Sequence, residues 1–63
     1  MIYKIRDYRK EMNMTQSELS KKAGVSRTII SGLERGTISV TTTDTIAKIA
    51  RALGKTVKEI LLE

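Results

Sequence analysis

Apolar and polar positions along this chain follow a rhythm of three and four, the spacing that gathers side chains onto one face of a helix. Ile2, Ile5, Tyr8 and Met12 form the first such stripe, with Lys4, Arg6, Asp7, Lys10 and Glu11 on the other faces. Asn13 ends that segment, because Asn tolerates the left-handed conformation common just past a helix. The next segment opens on Thr15-Gln16-Ser17-Glu18, a capping box in which the Thr hydroxyl and the Glu carboxylate satisfy each other's backbone amides. Leu19 and Ala23 are its apolar positions and Gly24 stops it. Ser26 is the N-cap of a third segment that runs to Arg35 and halts at Gly36, so residues 15–35 read as helix, three-residue turn, helix.

Residues 37–42 carry Thr, Ile, Ser and Val without periodicity and read as a loop that drops Ile38 or Val40 onto the core, with a brief β-strand as the alternative. A fourth helix from Thr42 to Leu53 follows from Ile46, Ile49, Ala50 and Leu53 at i, i+3, i+4 and i+7, and terminates at Gly54. Thr56-Val57-Lys58-Glu59 is a second capping box, opening a short last helix whose Val57, Ile60 and Leu61 close the core. The pattern predicts a compact all-α fold of five short helices forming one domain over residues 1–63.

The third segment has two distinct sides. At about 100° per residue from Arg27, Ile29, Leu33, Ser26 and Ile30 fall at roughly 200°, 240°, 260° and 300°, the side expected to be buried. Ser31, Arg35, Thr28 and Gly32 fall at roughly 40°, 80°, 100° and 140°, and with Arg27 they make a face with no apolar side chain. An Arg there can donate two hydrogen bonds to the O6 and N7 edge of guanine, and a Thr can serve a polar base edge or a thymine methyl. Arg27, in the first turn, is the best single candidate for base readout. A solvated first-turn residue accounts for it equally well until a second signal is added.

Composition narrows the chemistry. The sequence has no Cys and no His, which removes disulfides, thiolate nucleophiles, cysteine-based zinc sites and the usual proton-transfer side chain near neutral pH. Its seven carboxylates are scattered, so neither an enzyme nor a metal or cofactor site is expected; Asp44 and Glu59 read as first-turn residues favourable to a helix dipole. No apolar stretch is long enough for a signal peptide or a membrane span, and a cytoplasmic protein is expected. Twelve Lys and Arg against seven Asp and Glu give a net charge of +5, which favours a polyanionic partner. Residues 1–35 hold eight basic and four acidic residues, whereas residues 36–63 hold four and three, so the first half should meet nucleic acid. Solubility alone also accounts for a few net charges on a small domain.

The second signal is a resemblance. Met14-Thr15-Gln16-Ser17-Glu18-Leu19, then Ala23-Gly24-Val25-Ser26-Arg27, then Ile30 and Leu33-Glu34-Arg35-Gly36 resemble the helix-turn-helix of the Cro and phage-repressor (XRE) family. Ile49-Ala50-Arg51-Ala52-Leu53-Gly54 is similar to that family's fourth helix and its end, and the likeness extends from about Ile5 to Leu61. It implies a five-helix, lambda-repressor-like DNA-binding domain whose third helix enters the major groove. Arg27, Thr28 and the position of Gly32 match those that face bases in the family, with Ser31 beside them. Gln16, with Thr15 nearby, matches a phosphate contact, and Arg35 with Thr37 lies where the chain approaches the DNA backbone again. Arg9 and Glu34 match a partly buried ion pair tying the first helix to the third. The sequence departs from the family at Gly32, which offers no side chain for readout, at Ser20 in place of a small Ala, and at Thr43 and Lys55, which occupy usually apolar positions.

These readings converge on a sequence-specific transcriptional regulator, a repressor at a palindromic operator, with double-stranded DNA and a second copy of the chain as partners. The apolar end Ile60-Leu61-Leu62 is the candidate dimer contact, although Leu61 also suits the core. No small-molecule ligand is expected, since a chain of this length is expected to lack a separate sensing domain. The alternatives are an antitoxin that controls its own operon, and a protein-interaction module on the same fold.

Overall fold

Capping chemistry decides where most of the helices begin. Thr15, Ser26, Thr42 and Thr56 all stand in extended backbone, and each side-chain oxygen accepts a bond from the amide three residues on, at 3.0, 3.2, 3.1 and 3.2 Å. At Thr15 and Thr56 the return bond of the capping box is also present, from each Thr amide to Oε1 of Glu18 or Glu59, at 2.8 and 2.9 Å. The computed structural model describes residues 3–38 and 41–61, and in them α1 (Ile5–Glu11), α2 (Gln16–Ala23), α3 (Arg27–Arg35), α4 (Thr43–Ala52) and α5 (Val57–Ile60) follow in order. The described part of the 37–42 loop forms no strand.

Ile5, Leu19, Ile30, Leu33, Ile49 and Ile60 are fully buried at the centre, drawn from all five helices. Helix α2 packs against α3 and α4, α4 against α5, and α1 against α3. The two ends of the described chain meet: the Lys4 amide donates to the Ile60 carbonyl at 2.7 Å, and Tyr3 and Leu61 form an isolated antiparallel bridge.

Five expectations are corrected by the packing. Met12 is 42% exposed rather than part of the first stripe, because α1 stops at Glu11 and Asn13 turns the chain away at φ +53°. Met14, beyond that turn, packs on the core instead. Leu61 is 43% exposed, because the chain leaves α5 in extended backbone there, whereas Ile60 lies in the core and is unavailable as a dimer contact. Ser26 is exposed at the N-cap of α3 rather than buried, and Gly32, placed by helical geometry on the open face, is buried. Ile2, Val40 and Leu62 lie outside the described residues.

Two departures from the family pattern have local partners. Ser20 donates its hydroxyl to the Val25 carbonyl at 2.6 Å across the turn between α2 and α3. Lys55 places its ammonium 4.7 Å from the centroid of the Tyr8 ring, a cation–π contact, while the Tyr8 hydroxyl donates to the Glu59 carbonyl at 3.2 Å.

Candidate nucleic-acid interface

A side-chain network fixes α2 and α3 relative to α1. Arg9 donates from Nε to Glu34 Oε2 at 2.8 Å and from Nη2 to Oε1 at 3.0 Å, the two-pronged geometry in which a guanidinium matches a carboxylate. Its third nitrogen, Nη1, donates to the Met14 carbonyl at 2.8 Å and so holds the turn between α1 and α2. The pair is well shielded, with 12% of the Arg9 side chain and 3% of the Glu34 side chain exposed. Hydrogen bonding to Glu34 raises the Arg9 pKa above its ordinary value. Glu34 also accepts from Gln16 Nε2 at 3.2 Å, so α2 joins the same network at its first residue.

Gln16 then forms one wall of a cleft of about 450 Å³. Arg27, Thr28, Ser31, Gly32 and Arg35 contribute from α3, and Thr37 and Ile38 from the segment that follows it. Arg27, Thr28, Arg35 and Thr37 are exposed, while Gln16 and Ser31 are half-buried. The cleft therefore brings together all four residues expected to face bases and three of the four expected at phosphates. Thr15 is not among its lining residues; it is exposed at the N-cap of α2, where its oxygen accepts the Glu18 amide.

Ile38 is a lining residue for which the sequence, with Val40 as the alternative, suggested only a place on the core. It does pack against the core, but it also covers the bare Cα of Gly32. A Cβ on Gly32 would overlap the Ile38 Cδ1 and lie 2.6 Å from its Cγ1. Gly36 makes this fold-back possible, since its φ of +84° lets the chain reverse just past α3. The Thr37 hydroxyl, at 3.4 Å, and the Ile38 amide, at 3.1 Å, then both donate to the Gly32 carbonyl. A signal existed in the sequence: a glycine inside an otherwise regular helix is unfavourable by about 1 kcal/mol against Ala and marks a close approach. What approaches it was not legible there.

A helix-turn-helix whose second helix presents arginine, threonine and serine along one cleft defines a class, the regulators that read duplex DNA with an α-helix. The family model described as helix-turn-helix matches residues 5–60. The chain belongs to this helix-turn-helix family, of the XRE type, whose fold is a DNA-binding domain of transcriptional regulators. It is 45% identical over 51 residues to a protein of Methanothermobacter thermautotrophicus named as an uncharacterized HTH-type transcriptional regulator, covering 81% of this chain and 72% of that one. It is 42% identical over 59 residues to the control protein C.BamHI of Bacillus amyloliquefaciens, covering 92% and 72%. Among solved structures, SinR, a master regulator for biofilm formation, in complex with DNA superposes with a TM-score of 0.84 at 33% identity, covering 87% of each chain. A complex of SinR with SinI gives 0.82 at 33% identity, and there this chain spans 86% of its own length but only 52% of the other.

Proposed function

We propose that the chain binds specific DNA sites as a two-fold dimer and represses transcription there, with α3 in the major groove of each half-site. The observation that carries this reading is the gathering of Arg27, Thr28, Ser31 and Arg35 on one cleft beside Gln16 and Thr37. Arg27, exposed in the first turn of α3, reads a guanine edge, and Thr28 and Ser31 contact the neighbouring pair. Gln16 holds a phosphate. Its amide has two N–H donors, and the bond to Glu34 engages one and orients the other. Arg35 takes the next phosphate with Thr37 alongside it, the Thr37 hydroxyl staying on the Gly32 carbonyl, and Thr15 stands beside Gln16 at the start of α2. The structure of SinR, a relative of the same fold, is of a complex with DNA, which supports DNA binding by this chain.

Selection of bound sites from random duplex DNA tests the reading. Sites with inverted symmetry and half-sites about 34 to 36 Å apart, one turn of duplex, are expected. Sites without symmetry would remove the dimer, and failure to enrich any sequence would remove specific binding.

A further inference from the structure

We propose that Ile38, a loop residue outside the helix-turn-helix, is a specificity-determining residue that recognises the 5-methyl group of a thymine. The inference rests on the DNA-binding reading above and adds to it a base contact from the segment after α3.

Three observations lead there. At position 32 the outward face of α3 has no side chain, and the space a Cβ would take is filled by the Ile38 side chain. Ile38 thus stands in for the missing residue on the same cleft as Arg27, Thr28 and Ser31, all of which are polar. It is also held firmly. The Gly32 carbonyl accepts both the Ile38 amide and the Thr37 hydroxyl, and the inner side of Ile38 packs on the core. Finally, it is only partly buried, which leaves apolar surface on the cleft. In the major groove the one apolar feature of a base-pair edge is the thymine methyl, so a rigid branched alkyl group among hydrogen-bonding side chains matches that feature and no other. Burial of one methyl-sized group corresponds to about a fourfold change in Kd.

The experiment replaces each thymine of the selected site, one at a time, by deoxyuridine, which deletes the methyl and keeps every hydrogen-bonding group. Wild-type protein should lose about fourfold in affinity at one thymine per half-site. Ile38→Ala should bind the thymine and uracil forms of that site equally, and Thr28→Ser should keep the discrimination. Thermal unfolding is followed alongside. Should Ile38→Ala fail to fold, Ile38→Val, which removes only the terminal carbon, serves the comparison and should show reduced discrimination. A wild-type protein indifferent to every uracil overturns the inference. So does discrimination that survives Ile38→Ala or disappears in Thr28→Ser, which makes Thr28 the reader. Absence of any DNA binding overturns the regulator reading and this inference together, whereas binding without methyl discrimination overturns this inference alone.

Discussion

At the residue scale, the proposed division of labour between reading and positioning comes down to what each side chain has left to offer. Arg27 is exposed with five donors in a rigid fork, whereas Gln16 is neutral, half-buried and already bonded to Glu34. Arg27→Ala should therefore cost about 1 to 3 kcal/mol on the selected site and relax preference at one base pair. Gln16→Ala should weaken selected and scrambled sites by similar factors, because a phosphate looks the same under every base pair. Binding of each variant to all single-base changes of the site separates the two roles. The Arg9–Glu34 pair belongs to stability instead. With 3% of the Glu34 side chain exposed, removing Arg9 strands a buried carboxylate, and a loss of about 3 to 5 kcal/mol is expected for Arg9→Ala. A double-mutant cycle with Glu34→Ala, read by chemical denaturation, should show strong coupling.

At the scale of the element, helix starts are fixed by side chains that the sequence displays openly. Glu18 and Glu59 accept backbone amide bonds from Thr15 and Thr56, and these bonds lower both carboxyl pKa values from the usual 4.5. A depressed folded pKa means that the unfolded chain binds protons first as pH falls. The contribution to stability is therefore whole above about pH 4.5 and is lost progressively as pH drops through the folded values. Glu18→Gln and Glu59→Gln can keep the capping bonds but lose the titration, so both variants should show a shallower fall in melting temperature below that pH than wild type. The junction of α3 with the next loop works differently. Gly32→Ala is ordinarily favourable in a helix, yet here it drives Ile38 outward, and destabilisation by about 1 to 3 kcal/mol is expected from thermal or urea unfolding.

At the scale of the whole molecule, charge sets how the protein meets its partner. The net charge is +5, and eight of its twelve basic residues lie within residues 1–35, the part that carries the helix-turn-helix. DNA affinity should fall steeply with salt through release of phosphate counterions. Arg35→Ala should flatten the log–log slope by about one unit, whereas Gln16→Ala, which removes no charge, should leave it unchanged. A fluorescence-anisotropy titration across salt concentrations checks both.

The five helices, their order and the caps of α2 to α5 were set by local sequence, since capping boxes, glycine stops and a stripe period of three to four act within one or two turns, while α1 has no side-chain cap at Lys4. The Arg9 and Glu34 partnership was suggested by family resemblance, not by spacing, because 25 residues separate them and only the packing of α1 on α3 brings them to 2.8 Å. Tertiary structure alone decided the rest. Met12 and Leu61 carry apolar side chains at helix-compatible spacings, but each lies where its helix has just ended, so the non-helical backbone, a turn after Met12 and an extended residue at Leu61, overrides the stripe and exposes them. Gly32 shows the same limit from the other side. A helical wheel fixes an azimuth but not what folds back onto it, and the reversal at Gly36 lays Ile38 over a position that helix geometry alone leaves open.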